Sequence, residues 1–279
     1  MSPEPKVPTR LGLIVPSSNT TMETELPEMF ARRAQLVPDE RFTFHSSRMR
    51  MLHVSAEALL QMDAASNRCA VELADAQCDA MAYACLVAIM SQGPGAHVSA
   101  EERLTTVARE EGCGAPVLSS AGALLRGLAA LGAQRVSMVT PYVPELSAKV
   151  REYIEDAGVE VVDMVSLGVA DNCAVGRLDP VNLPEIAAGL TRTGCDAIVL
   201  SACVQMPSLA AIPEAEARLG LPVLTAATAT TYDLLTALGR SAVVPNAGHL
   251  LSNEFAASPQ RSGGSGERTI SERSGNVAT

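Results

Sequence analysis

Cys78-Asp-Ala-Met-Ala-Tyr-Ala-Cys85 and Cys195-Asp-Ala-Ile-Val-Leu-Ser-Ala-Cys203 carry one pattern: a cysteine and an aspartate, an apolar run, then alanine and a second cysteine. A short run that is apolar at nearly every position predicts a parallel strand covered on both faces. The echo continues downstream, where Pro116-Val-Leu118 leads to Leu128-Ala-Ala-Leu-Gly132 and Pro222-Val-Leu224 leads to Leu235-Thr-Ala-Leu-Gly239. The 118 positions between Cys85 and Cys203 are far too many for a solenoid period, so they indicate a duplicated α/β unit. Two related halves facing one cleft are the expected architecture.

The flanking sequence fits this reading. Arg10-Leu-Gly-Leu-Ile-Val-Pro16 predicts a buried strand stopped by proline, Ser17 to Thr21 a polar loop, and Met22 to Arg33 a helix. Arg41 to Ser46 predicts a second strand, Ser55 caps a helix running to about Ala76, and Asp79 to Val87 forms a third strand. Ser99 and Glu102 read as a capping box opening a helix that ends at Gly112, before a strand at Pro116 to Leu118. The order then repeats: a strand over 135–140, a helix over 145–157, a strand over 159–165, a helix opened by Pro184, and strands over 197–204 and 222–224. This divides the chain into a first α/β domain over 1–120, completed by a helix within 226–251, and a second over 121–225. From Ser252 to Thr279 serine, glycine and arginine without hydrophobic periodicity predict a disordered tail.

Composition removes several classes of function. With 279 residues, 47% hydrophobic and 19% charged, the chain can bury a sizeable core. A net charge of −10, scattered Lys and Arg, 3% aromatics and no Trp leave no footprint for a nucleic-acid partner. The longest apolar run, Ala80 to Met90, is too short for a bilayer, and Met1 to Arg10 lacks the apolar core of a signal peptide. No membrane partner and a cytoplasmic location are therefore expected. Seven cysteines without a C-x-x-C pair read as reduced thiols rather than disulfides. His45, His53, His97 and His249 do not cluster at metal-ligand spacing, and no Walker loop, G-x-S-x-G elbow or G-x-G-x-x-G fingerprint occurs. Gln92-Gly-Pro-Gly95 lacks a basic partner and reads as a turn. Neither a metal nor a cofactor is expected.

In open parallel sheets ligands bind beyond the carboxyl ends of the strands. The stretches to weigh are Ser17–Thr21, Cys85–Val87, Thr140–Tyr142, Ala170–Cys173 and Cys203–Gln205. A thiol recurs at the matching strand end of each half, and opposed thiols can act as nucleophile or base on one side and acid on the other. Buried cysteine is also a common packing residue. That reading suits Cys69, Cys78, Cys113 and Cys195, and Cys173 is placed with them; for Cys85 and Cys203 both readings stand on residues alone. Asn19, Tyr142 and Asn172 offer uncharged hydrogen-bonding groups near strand ends, suited to carboxylate oxygens. Without Lys or Arg in these loops, backbone N–H groups are the expected anion contacts.

Arg10-Leu-Gly-Leu-Ile-Val-Pro-Ser-Ser-Asn-Thr-Thr-Met-Glu-Thr-Glu25, Ala82-Tyr-Ala-Cys-Leu-Val-Ala88 and Ser201-Ala-Cys-Val-Gln205 resemble the maleate cis-trans isomerase family of the aspartate/glutamate racemase superfamily, over residues 8 to 251. The resemblance implies two pseudo-symmetric flavodoxin-like parallel-sheet domains with the active site in the cleft between them. It implies that Cys85 is the nucleophile and Cys203 the proton donor. It further implies that Asn19, Tyr142 and Asn172 bind maleate, a small dicarboxylate, and that backbone at Leu86, Val87, Val204 and Gln205 holds carboxylate oxygens. The family's habit implies a homodimer, and a degradation route ending in maleate, such as that of nicotinate, is the setting it suggests; neither follows from the residues. The rival readings are a two-cysteine amino-acid or hydantoin racemase of the same superfamily, a one-cysteine arylmalonate-type decarboxylase, and a non-catalytic small-acid binding protein.

Overall fold

A computed structural model describes residues 7–51 and 56–257. Each half of the pattern forms its own four-stranded sheet, and every strand pairing is parallel. The first sheet holds β1 (Thr9–Pro16), β2 (Phe42–Met49), β3 (Ala80–Tyr83) and β4 (Val117–Ser119), in the order β2-β1-β3-β4. The second holds β5 (Arg135–Thr140), β6 (Glu160–Ser166), β7 (Ala197–Ser201) and β8 (Val223–Thr225), in the order β6-β5-β7-β8. The same spatial order in both makes the duplication structural. It also places β1 and β3, and likewise β5 and β7, side by side, so their carboxyl ends open on one crevice.

The connecting helices are α1 (Met22–Arg33), α2 (Ala56–Ala64), α3 (Ser66–Asp75), α4 (Leu86–Met90) and α5 (Ala96–Glu110) in the first half, and α6 (Ser120–Leu131) leads out of it. They continue as α7 (Pro144–Asp156), α8 (Asn172–Val175), α9 (Leu183–Ala188), α10 (Ile212–Leu219), α11 (Ala226–Ala237) and α12 (Asn253–Ala257). Among the described residues no helix is long and apolar enough to cross a membrane. Close packing explains one glycine: a Cβ on Gly12 of β1 would lie 2.9 Å from Met81 Cγ and 3.2 Å from Leu73 Cδ1, so glycine lets α3 sit down on the sheet.

The chain after β8 returns to the first half. α11 packs against α1 and β3 as well as along α6, and the buried Arg33 of α1 donates to the carbonyls of Ser241 (2.6 Å) and Val243 (2.9 Å) while pairing with Glu40. A buried guanidinium with every neighbour an acceptor is held by geometry as well as charge.

Several sequence expectations change: the strand read over 197–204 stops at Ser201, and the one read to Ser46 runs on to Met49. The helix expected up to Ala76 is two helices broken at Ala65, where Ser66 Oγ donates to Asp63 O and competes with the helical ladder; Ser55 lies outside the described residues. Ser99 lies inside α5, which starts at Ala96 behind the left-handed Gly95 with no side-chain cap. The strand read to Val87 stops at Tyr83, and Leu86–Met90 is helical, because periodicity does not separate a buried strand from a buried helix. Regular structure also runs past Ser252 into α12, whose Phe255 packs against Tyr232 and His249; 258–279 lie outside the described residues.

Candidate active site

The early end of β3 matters for chemistry. Cys85 leaves the sheet with φ −152° and ψ 83° and stands just before α4, so its sulfur meets the backbone N–H of Ala88 in the first helical turn. Free N–H groups at a helix start favour negative charge. In the second half β7 ends at Ser201, whose hydroxyl donates to Cys203 O at 2.8 Å and fixes the turn. The Cys203 sulfur accepts the Gln205 N–H at 3.4 Å, and the Met206 N–H and the Tyr142 hydroxyl also favour its thiolate.

Cys85 and Cys203 line one small cavity. Asn19, Leu86, Val87, Tyr142, Asn172, Val204 and Gln205 line it with them, together with Pro16, Met51 and Ala84. No lining residue carries a formal charge. Cys69, Cys78, Cys113 and Cys195 are buried away from this lining; Cys173 is exposed beside Asn172. Among the described residues no three His, Cys, Asp or Glu side chains come together as a metal site requires.

Both thiols are protonated at neutral pH. Burial pushes Cys85 up to about 12, with further increments from nearby Cys203 and Asp63, against the Ala88 N–H. Burial also raises Cys203, with a smaller increment from Glu25, but Tyr142 and two backbone N–H groups pull the other way. The negative charge of a half-ionised pair therefore rests more easily on Cys203. Burial holds the Tyr142 phenol well above its ordinary value, so it stays a donor.

The polar side chains are oriented by the backbone around them. Asn19 Oδ1 accepts from the N–H groups of Thr21 and Met22, both at 3.1 Å, which leaves its amide hydrogens for the cavity. Arg48, outside the cavity lining, donates to the carbonyls of Ser17 (2.9 Å) and Asn19 (2.7 Å) and fixes the loop from behind. Asn172 Nδ2 donates to Ser18 Oγ at 2.8 Å, joining the two halves at the rim. Behind Cys85, Tyr83 donates to Asp63 at 2.8 Å, and Asp63 pairs with Arg103.

Sequence reasoning missed Arg48 and Met51, because ending the second strand at Ser46 leaves β2's true carboxyl end out of the strand-end survey. It also missed the half-buried Glu25 of α1, which accepts from the Ser208 and Leu209 N–H groups at 2.6 and 2.7 Å. A glutamate in the first turn of a helix gives no hint in sequence of reaching the other half.

The family model described as arylmalonate decarboxylase matches residues 11–251. A maleate isomerase of Geobacillus stearothermophilus is 55% identical over 246 residues, 88% of this chain and 98% of its own. The crystal structure of the maleate isomerase from Pseudomonas putida S16 superposes with a TM-score of 0.87 at 53% identity, covering 88% of this chain and 99% of that one. A Nocardia farcinica maleate cis-trans isomerase, solved with one cysteine changed to serine and a covalently bound succinylcysteine intermediate, gives a TM-score of 0.84 at 46% identity, over 88% and 98% of the two chains. With the duplicated sheets, the paired thiols and these likenesses together, the chain belongs to the arylmalonate decarboxylase family and, within it, to the maleate isomerases.

Proposed function

We propose that this chain isomerises maleate to fumarate in the cleft between its two halves (1–120 with 226–251, and 121–225), using Cys85 and Cys203 and no cofactor. The observation that carries the reading is the pair of thiols from matching strand ends on one small cavity free of formal charge. Rotation about a C=C bond is prohibitively slow, so the bond must become single for a moment. Cys85 sulfur adds to one alkene carbon as its proton passes to the Cys203 thiolate. The alkene electron pair moves to the neighbouring carbon and its carboxylate, and Cys203 delivers the proton there. The product is a succinyl group on Cys85 with a freely rotating C2–C3 bond. After rotation Cys203 removes a proton from C3, the double bond re-forms in the trans geometry, and the Cys85 sulfur leaves and recovers its proton. Every atom of maleate is returned in fumarate or exchanged only as a proton.

The carboxylates need partners that do not compete for the thiol charge. The Asn19 amide, Asn172 and backbone N–H groups at Leu86, Val87 and Val204 hold them in this reading, with the Gln205 N–H shared between a carboxylate and the Cys203 sulfur. Neutral donors aimed at charge that develops during the reaction act strongly where water is excluded.

The test is to incubate reduced protein with maleate, follow fumarate by proton NMR, and weigh the quenched enzyme. Fumarate with a succinyl-sized adduct supports the reading. No conversion of maleate, but α-hydrogen exchange of an amino acid or hydantoin, moves the chain to the racemase alternative.

Two further expectations belong to this reading. Because both thiols are raised by burial, kcat/KM for maleate climbs with pH beyond about 8.5, the ordinary thiol value, with one thiolate and one thiol as the active pair. A profile already flat at pH 7 overturns it. The sign for stability is opposite: above about pH 8.5 the unfolded chain ionises these thiols first, so stability falls as pH rises toward the folded values. Assembly as a homodimer in a cytoplasmic degradation route is the other expectation; light scattering giving a monomer mass at micromolar concentration removes the dimer.

A further inference from the structure

We propose that the Gln205 side chain is a positioning residue that fixes the spacing between the two walls of the cavity, and with it the alignment of Cys203 on Cys85. The proposal rests on the isomerase reading for its kinetic consequence, and on geometry alone for the clamp itself.

Gln205 is buried, and its side chain crosses from the second half to the first. Oε1 accepts from the N–H of Thr20 at 3.0 Å and of Thr21 at 3.3 Å. Nε2 donates to Ser18 O at 3.0 Å and to Asn172 O at 2.9 Å. An amide side chain has two acceptor sites and two donor hydrogens, so this inventory is complete and nothing of the side chain remains for a ligand. Two N–H groups on one side and two carbonyls on the other also admit only one orientation of the amide.

The same residue touches the chemistry through its backbone, since its N–H donates to the Cys203 sulfur at 3.4 Å. One residue thus holds the thiol with its main chain and the opposite wall with its side chain. The loop it grips is the one carrying Asn19, whose Oδ1 shares the Thr21 N–H. The carbonyl it grips in its own half belongs to Asn172, another lining residue. Three elements of the cavity therefore meet at one amide.

A second observation, on a different element, points the same way. A Cβ on Gly176 would lie 2.5 Å from Gln205 Nε2 and 3.1 Å from its Cδ. The backbone there has φ −69° and ψ −6°, which alanine adopts freely. The absent side chain is explained by the room the amide needs.

The experiment compares Gln205→Ala, Gly176→Ala and the double variant, each checked for fold by circular dichroism. Each single change lowers kcat for maleate by about a hundredfold while KM moves far less, as misplacement by about 1 Å does. In the double variant the glycine substitution adds nothing, because its target is gone. Free of substrate, Cys203 is alkylated by iodoacetamide at least about tenfold faster in Gln205→Ala than in the natural chain, since the strap no longer holds its loop closed. Gly176→Ala keeping its full cost without Gln205, or an unchanged Cys203 labelling rate, overturns the clamp. Should Gln205→Ala fail to fold, Gly176→Ala alone decides, and both kcat and Cys203 labelling must move. A natural chain without maleate turnover sinks the isomerase reading instead, and the labelling comparison still judges the clamp.

Discussion

Cys85→Ala abolishes isomerisation, with turnover down by about 10⁴-fold or more, and no succinyl-sized adduct forms. Loss of a covalent nucleophile costs on the order of 10⁴ to 10⁶ elsewhere in enzymology. Here the lining offers one other thiol, Cys203, which this reading uses to carry the proton; the remaining side chains are amides, a phenol, the Met51 thioether and aliphatic groups. The substitution removes one sulfur from a buried site, and the fold rests on two complete sheets, so the variant stays folded. Intact mass after quenching separates the cases. Retained turnover in Cys85→Ala removes the covalent route from this chain.

Cys203→Ser slows turnover by about 10²- to 10⁴-fold, the usual worth of a positioned acid or base, and the Cys85 adduct accumulates. Serine keeps the shape and the reach toward Tyr142 and the N–H groups of Gln205 and Met206, but its hydroxyl gives no anion at working pH. Addition still occurs slowly with water as proton source, whereas removal of the C3 proton, which elimination requires, loses its base. Mass spectra of the quenched variant over time then show adduct rising as fumarate lags. An adduct on residue 203 of the natural chain, with Cys85 unmodified, reverses the roles. The donor asymmetry argues against that outcome: three groups favour charge on Cys203 and one favours it on Cys85. The better-held thiolate is suited to passing a proton, and the less-held one reacts as its proton leaves.

The glutamine clamp links these two results. If the thiols act in sequence on neighbouring carbons, their separation is a catalytic variable, and a residue bonded to both walls controls it. Glu25 adds a second tie between α1 and the loop after Cys203. Its carboxylate is half-buried and held mainly by backbone N–H groups, and loss of water around it raises its pKa.

The sequence by itself determined the class of fold and put a thiol at the matching strand end of each half. A near-continuous apolar run fits only a doubly covered strand or a buried helix, and its repetition around Cys85 and Cys203 required two equivalent units. Strand-end logic then reached Asn19, Tyr142 and Asn172, all of which line the cavity. The tertiary structure decided where each strand stops. Ending β3 at Tyr83 turns Leu86–Met90 into a helix and gives the Cys85 sulfur a backbone donor; extending β2 to Met49 brings Arg48 and Met51 to the site. It also decided the partners of Gln205 and Glu25. Local pattern reports which face of an element is apolar, because burial follows a period of two or about 3.6 residues. It does not report which polar group meets which across 183 to 187 positions of chain, because those contacts exist only once the two halves have packed.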